Sequence, residues 1–281
     1  MGQNVLQINS YLQRISNILL INGGFLSNPG LYTGETGLVL FFFHYANYTG
    51  KKMYRDYSFE LLEKIQNRIN QETPINYKEG LAGIGSAIEY LVQGGFIEGI
   101  TDEILEEFDE RIFDIRNIPK LSIEDIDGIL YYAFWRIYGS RSKRKYLLNT
   151  QLLPIVNAVE EWRSTHITTH PFFDSFKVLV KSEANISMID DKPVIFPSWN
   201  RLTCKNNPNI STLTGPSPRF LEIMSGNDIF SPYNTELGLL NGLAGMGMTL
   251  LTEIDDDTGI IKWTSLLQNE ITPERNESIP V

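Results

Sequence analysis

Two nearly identical glycine hexapeptides, GLAGIG at residues 80–85 and GLAGMG at residues 242–247, constrain the fold of this 281-residue chain more than any other feature. An apolar run follows each of them, SAIEYL after the first and MTLL after the second. Glycine costs about 1 kcal/mol relative to alanine inside a helix, so each copy places three unfavourable residues at a helix start. A costly feature that recurs indicates an internal structural repeat.

Aligning the glycines reveals further copies of the repeat. TGETG supplies Gly34 and Gly37 before an apolar segment, and DGILYYAFWRIY supplies Gly128 but places Tyr131 at the second glycine. The first glycines are 46, 48 and then 114 residues apart, the last being twice 57, so a degenerate copy is expected near residues 170–190. The motif glycines are Gly34, Gly37, Gly80, Gly83, Gly85, Gly128, Gly242, Gly245 and Gly247.

Two kinds of helix alternate along the chain with a period near 48 residues. Residues 5–19, 57–69 and 104–115 carry apolar side chains on one face only, and a similar helix runs through 145–162, where Pro154 would kink or restart it. The segments after the glycines are apolar almost all round, as in buried helices. This alternation predicts an all-α fold, an α/α toroid in which helical hairpins form a double-layered ring, complete or incomplete.

We expect a single toroid domain over residues 1–281. Residues 185–235 interrupt the helical pattern with Pro, Asn, Ser and Thr, which predicts a loop-rich or small β excursion. The tail after about residue 272 is expected to be frayed.

Composition limits the function classes. Hydrophobic residues make up 42% of the chain and charged residues 21%, and the net charge of −10 disfavours nucleic acid as a partner. Cys204 is the only cysteine, so no internal disulfide forms. The N-terminus lacks a signal-peptide pattern, and no apolar stretch reaches the length of a membrane span. We therefore expect a cytoplasmic protein.

The glycines allow two interpretations. They pack the inner helices closely, or they open a ring mouth lined by helix N-termini. Glycines there leave N–H groups bare and permit positive φ where the loop enters the helix. A mouth lined by helix N-termini would favour anions and polar ligands.

The motif Gly-Leu-x-Gly-x-Gly with a following apolar helix, repeated at this period, resembles the lanthionine synthetase C-like (LanC-like) family. LGLLNGLAGMGMTLL at residues 237–251 is similar to that family's last repeat, and the resemblance covers 30–95 and 237–254 well and 124–138 weakly. It implies an α/α toroid and a link to thioether-forming maturation of ribosomally made peptides. In active members a zinc ion activates a peptide cysteine thiol for addition to a dehydrated serine or threonine.

The chain departs from the family at the zinc ligands, which the family takes from Trp-Cys-x-Gly and Cys-His-Gly motifs. Here Asn200 follows Trp199, no Cys-His pair occurs, and the chain is shorter by one or two hairpins. We therefore expect no zinc and no other cofactor. The remaining metal candidates are His166, His170 and Cys204, because the two histidines are four residues apart and Cys204 is the sole sulfur ligand.

Several carboxylates and aromatic rings are candidates for ligand binding. Acidic residues at or just before inner-helix starts either cap the helices or form an acidic ring at the mouth. Aromatic residues either belong to the core or form a platform for a sugar or peptide. The candidate ligand-binding residues at the toroid mouth are Glu35, Tyr77, Glu79, Asp127, Tyr131, Trp199 and Glu236.

Two functions remain open, and no catalytic residue is assigned. The first is a LanC-like protein of peptide maturation that lacks zinc and binds a peptide or a peptide-modifying enzyme. The alternative is a toroid glycoside hydrolase, which requires two carboxyl groups roughly 5–9.5 Å apart in an open cleft.

Overall fold

A computed structural model describes residues 2–139, 147–166, 173–174, 176–178, 180–181, 236–240, 242–254 and 263–267. Regular structure within these ranges is helical and includes no strand, which confirms the all-α class. The predicted excursion at 185–235 and the tail after residue 272 lie outside the described residues. The single-domain assignment stays a prediction.

The helix bounds follow the repeat. The described ranges include the α-helices α1 (Gly2–Asn22), α2 (Glu35–Thr49), α3 (Lys52–Arg68), α4 (Leu81–Gln93), α5 (Thr101–Ile104), α6 (Glu106–Ile112), α7 (Ile123–Gly139), α8 (Leu153–His166) and α9 (Leu243–Ile254). Shorter 3-10 helices cover Gly23–Phe25, Ile115–Lys120 and Trp263–Leu266, and a π-helical turn covers Leu147–Leu152. Pro154 is the second residue of α8, so the helix restarts there as predicted.

Burial separates the helices into two layers. In α2 every residue from Glu35 to Phe43 is buried, whereas α3 buries one stripe that includes Tyr54, Leu61 and Ile65. The predicted helix over residues 104–115 is divided at Leu105, between α5 and α6, and its buried residues are Leu105, Asp109 and Ile112 rather than Ile104. The glycine-led helices are therefore inner helices and the one-faced helices outer ones.

The inner helices pack side by side in the order α9, α2, α4 and α7. Outer helix α1 packs against α9, and α3 packs against α2. Because α9 comes last among the glycine-led helices and α2 comes first, their contact brings the two ends of the repeat array together, as a toroid requires. None of the described helices combines the length and apolarity needed to cross a membrane.

Candidate functional site

Each complete glycine motif begins its inner helix against a loop that folds back onto the first helical turn. We call residues 28–34, 74–80 and 236–242 the mouth loops; residue 241 lies outside the described residues. Backbone N–H groups of the first turns donate to loop carbonyls seven positions earlier, from Glu35 to Asn28 (2.9 Å), Leu81 to Pro74 (2.9 Å), Ala82 to Ile75 (3.2 Å), Leu243 to Glu236 (3.0 Å) and Ala244 to Leu237 (3.1 Å).

These bonds occupy the donors that a helix start otherwise leaves unpaired. The expectation that the glycines leave bare N–H groups at the mouth is therefore wrong. At Thr36 the side-chain hydroxyl joins the pattern and donates to the Pro29 carbonyl at 2.5 Å. An anion at these helix starts would have to compete with the loop carbonyls for the same donors.

The first glycine of each motif is required by the folded-back loop. A Cβ atom there would meet a backbone carbonyl oxygen, at 2.3 Å from Asn28 for Gly34, 2.2 Å from Pro74 for Gly80 and 2.4 Å from Gly238 for Gly242. Carbonyl oxygens of a hydrogen-bonded loop cannot move away without breaking the bonds they accept, so the position excludes every side chain.

Positive φ angles do not explain these glycines. Gly34 and Gly80 have φ angles of −109° and −111°, which other residues also adopt. Among the described residues, positive φ occurs at Gly50 and Gly95, outside the motifs. The predicted left-handed junction is therefore wrong, and close approach of backbone is the reason for glycine.

The second glycine of each complete motif meets the same loop one turn later. A Cβ atom would lie near the carbonyl oxygen six positions earlier, at 2.9 Å for Gly37 and Leu31, 1.9 Å for Gly83 and Tyr77, and 1.9 Å for Gly245 and Leu239. The two glycines of each complete motif thus allow the loop to pack closely against the helix.

Gly128 corresponds to the second glycine, not the first. A Cβ on Gly37 would lie 2.8 Å from the Leu239 nitrogen, and one on Gly128 would lie 2.9 Å from the Tyr77 nitrogen. Leu239 and Tyr77 occupy the same position, three residues before the first glycine of their motifs. The alignment that placed Tyr131 at the second glycine is therefore wrong by three residues.

Helix α7 starts differently because it lacks the first glycine. Ser122 and Asp125 cap it reciprocally: the Asp125 N–H donates to Ser122 Oγ at 3.2 Å, and the Ser122 N–H donates to Asp125 Oδ2 at 3.1 Å. A side-chain cap thus replaces the folded-back loop of the other repeats.

The mouth loops are joined sideways in the order of the inner helices. The Leu240 N–H donates to the Tyr32 carbonyl at 2.9 Å, and the Tyr32 N–H donates to the Lys78 carbonyl at 2.9 Å. Lys78 Nζ continues the row to Glu124 Oε1 of α7 at 3.2 Å. The loops therefore form one continuous surface, which we call the mouth.

Glu35 does not face this surface. Its carboxylate is 0% exposed and lies 2.5 Å from Lys64 Nζ and 2.8 Å from Arg68 Nη1, both on outer helix α3. Lys64 and Arg68 also donate to the carbonyls of Gly24 and Leu26. Glu35 thus connects α2 to α3 and to the segment after α1.

The other three predicted carboxylates lie at the mouth. Glu79 and Glu236 are exposed, and Asp127 is half-buried in the first turns of α7. Glu79 Oε1 accepts a hydrogen bond from Thr33 Oγ1 at 3.3 Å, which connects two neighbouring mouth loops. Glu79 and Glu236 form part of an accessible acidic surface, whereas Asp127 Oδ1 is buried.

The predicted aromatic residues form a column beneath the mouth. Tyr77 is 1% exposed and contacts the half-buried Tyr131, with ring centroids 5.5 Å apart, and Tyr32, with centroids 6.0 Å apart. Burial raises the pKa of both Tyr77 and Tyr131, and Asp127 adds to the effect on Tyr131. Tyr131 is the member of the column that a ligand could reach. Trp199 lies outside the described residues.

The zinc ion that the resemblance implies does not fit the described residues. They include no group of three His, Cys, Asp or Glu side chains arranged to hold a metal. His44 Nε2 is hydrogen-bonded to the Tyr90 hydroxyl at 2.8 Å among aromatic rings. His166 ends α8, while His170 and Cys204 lie outside the described residues, so the metal prediction at these three positions stays open.

Sequence reasoning missed a buried ionic cluster that involves the C-terminal halves of inner helices α4 and α7. Arg136 of α7, 1% exposed, contacts Glu89 (2.8 Å), Asp102 (3.0 Å) and Asp109 (2.8 Å). Tyr132 Oη donates to Asp109 at 2.6 Å. The available signal was a lone arginine in the apolar run GILYYAFWRIY, which requires a buried acidic partner.

The comparisons with known proteins agree with the glycine repeats. Residues 27–136 match the family described as lanthionine synthetase C-like protein, a segment that contains two mouth loops, inner helices α2 and α4, and α7 up to Arg136. No curated protein and no solved structure matches the chain. Over residues 27–136, the chain is therefore similar to the LanC-like family, as its glycine motifs predict.

Proposed function

We propose that this protein takes part in the maturation of a ribosomally made peptide of the lanthionine type, and that it binds the peptide or the enzyme that modifies it. The observation that carries the proposal is the LanC-like match over residues 27–136. Maturation begins where ribosomes make the peptide, so the proposal places the protein in the cytoplasm.

The mouth supports binding of an extended polar ligand. Thr33, Glu79 and Glu236 are exposed there, and Asp127 and Tyr131, the latter a member of the aromatic column, are half-buried. Carboxylates beside an accessible ring suit a peptide that carries cationic side chains. The net charge of −10 also favours the approach of such a ligand.

The proposal includes no zinc-dependent cyclisation. That reaction needs thiolate and imidazole ligands with an open position for the peptide thiol. The described residues lack this donor set, and the whole chain contains one cysteine. Binding is the role that the mouth supports without a metal.

The glycosidase alternative receives no specific support. Glu35 is enclosed by Lys64 and Arg68, and its carboxylate is 0% exposed. A general acid or nucleophile must reach the sugar, so Glu35 cannot serve as half of the carboxylate pair in this arrangement.

Fluorescence anisotropy with a labelled precursor peptide tests the proposal. The peptide should be the Ser-, Thr- and Cys-containing product of a gene adjacent to this one. We expect saturable binding that the double variant Glu79→Lys with Glu236→Lys weakens about tenfold or more, since both changes reverse charge at the mouth. Glu72→Lys, an exposed acidic residue outside the mouth loops, is the control.

Three outcomes would overturn parts of the proposal. Absence of binding both to the precursor and to a peptide-modifying enzyme encoded beside this gene contradicts the maturation role. Unchanged binding by the mouth double variant contradicts the location. Stoichiometric zinc in the purified protein contradicts the zinc-free mechanism.

A further inference from the structure

We propose that a groove between outer helices α3 and α5–α6 binds an amphipathic helix of another protein, one whose aliphatic face is flanked by lysine or arginine. The groove is formed by outer helices and the α4 floor, away from the mouth loops. This interaction therefore goes beyond the proposed function and does not depend on it.

The groove is an elongated apolar cleft of about 360 Å³. Phe59 and Leu62 of α3 and its C-cap residue Ile69 form one wall, Ile88 of α4 lies at the floor, and Ile104 and Phe108 form the opposite wall. The ten-residue separation of Phe59 and Ile69 corresponds to about 15 Å along the helix axis. That length accommodates side chains from two to three turns of a partner helix.

Exposure increases steadily from the floor to the rim. Ile84 and Ile65 are 0% and 2% exposed, whereas Phe59 and Ile104 are 42% and 43% exposed. Large apolar side chains that line a concave surface and remain accessible are typical of a protein-binding site. A helix with apolar residues at i, i+3 and i+7 would insert them between these walls.

Charge determines the class of the partner. Glu63 lines the groove, and Glu103 and Glu107 are exposed beside Ile104 and Phe108 on the opposite wall. Acidic side chains on both rims favour cationic flanks on the occupant.

Three of the four basic side chains near the walls contact other parts of the fold. Lys64 and Arg68 are paired with Glu35 beneath α3. Arg55 donates to the Phe96 carbonyl at 3.0 Å, and Arg111 donates to the carbonyls of Gln71 and Thr73. Lys64, Arg68 and Arg111 are thus directed to other parts of the fold, whereas the Arg55 guanidinium lies 5.9 Å from the centroid of the Phe59 ring.

A second copy of this chain is a poor occupant. Its net charge is also −10, and pairing two such grooves would place acidic rims against each other. A cationic amphipathic helix satisfies both the apolar floor and the acidic rims.

Anisotropy with a fluorescein-labelled synthetic peptide tests the inference. The peptide should be helical, with leucine at i, i+3, i+4 and i+7 and lysine on its other faces. We expect saturable binding to the full chain, and at least tenfold weakening by Phe59→Lys with Ile104→Lys, which places charge at the apolar rim. Because both side chains are more than two-fifths exposed, these changes are compatible with folding, which circular dichroism verifies.

Matched controls separate this groove from general attraction to an acidic protein. Val5→Lys adds lysine at a residue of equal exposure, 41%, on α1 and should leave the affinity unchanged. A peptide with its leucines replaced by serine should not bind, and Glu63→Lys with Glu103→Lys should weaken binding about tenfold at low salt.

Absence of binding, or equal affinity of the groove double variant and Val5→Lys, overturns the inference. Binding of the serine peptide with unchanged affinity also overturns it, because charge alone would then account for the complex. The variant Glu79→Lys with Glu236→Lys at the mouth should still bind the leucine peptide. The test of the groove can therefore fail or succeed independently of the test of the mouth.

Discussion

Gly247 of α9 lies directly against Phe41 of α2: a Cβ atom on Gly247 would approach Phe41 Cε2 to 2.3 Å. The same relationship holds between Gly85 of α4 and Tyr132 of α7, with a distance of 2.5 Å to Tyr132 Cε2. Each aromatic residue stands four positions after its helix's second glycine. Equivalent inner helices therefore meet through equivalent contacts, including the pair that joins the two ends of the repeat array.

Adding one methyl group to this contact should destabilise the protein. Gly85→Ala would force the enclosed Tyr132 ring to move, and we expect a loss of about 1–3 kcal/mol in the free energy of unfolding. Urea denaturation measures the loss. Gly24→Ala is the control, because a Cβ atom there meets nothing within 4 Å. Equal stabilities of the two variants would contradict the packing.

The mouth loops should protect amides that other helices leave open. The N–H groups of Leu81 and Leu243 are the first of their helices and donate to loop carbonyls. In α3, the N-cap residue Lys51 provides no side-chain cap. Hydrogen exchange should therefore be slower at Leu81 and Leu243 than at Lys52. Equally fast exchange would show that the loops do not fold back in solution.

Arg136 should be more important for stability than any exposed arginine. Arg136→Met would leave Glu89, Asp102 and Asp109 buried without their cation, and we expect a loss of about 3–5 kcal/mol. Thermal and urea unfolding would measure it. Arg116→Met, which removes an 85% exposed partner of Asp114, should have little effect. A similar result for both variants would exclude the cluster.

The Glu89 carboxyl group should make stability depend on pH. Burial raises its pKa above the ordinary 4.5, and the ion pair with Arg136 opposes this effect only in part. The folded protein therefore holds this proton more tightly than the unfolded chain, and stability falls as pH rises from 4.5 to the folded pKa. Each unit of elevation corresponds to about 1.4 kcal/mol.

Glu89→Gln tests that dependence because the amide does not ionise. The fall in unfolding free energy over the same pH range should be smaller in the variant than in the natural chain. Urea unfolding at several pH values measures both slopes. Parallel curves would show that Glu89 does not contribute to the dependence.

The sequence predicted the layers because apolar periodicity and repeated glycines are local signals. The third repeat was misaligned because Gly128 follows Asp127 in a motif with only one glycine. Its true register depends on contact with Tyr77, a residue of the preceding repeat. Only tertiary structure contains that information.

The candidate site residues also differ in whether local sequence or tertiary contacts determine their positions. The locations of Glu79 and Glu236 follow from their places before inner helices, and both lie at the mouth. The position of Glu35 did not follow from its place in the sequence, because its environment is determined by Lys64 and Arg68 of the next helix. Asp109 and Arg136 are 27 residues apart: the apolar run around Arg136 indicates a buried acidic partner, but no local pattern identifies Asp109 as that partner.

A double-mutant cycle between Gly247 and Phe41 tests most directly whether the first and last glycine-led helices meet. Phe41→Leu removes the ring atoms that a Cβ on Gly247 would contact, so it should relieve part of the cost of Gly247→Ala. Phe43→Leu, another buried ring of α2, should combine additively with Gly247→Ala. We predict a coupling of about 1 kcal/mol or more for the Phe41 pair. Additivity within about 0.5 kcal/mol for both pairs would contradict closure of the toroid.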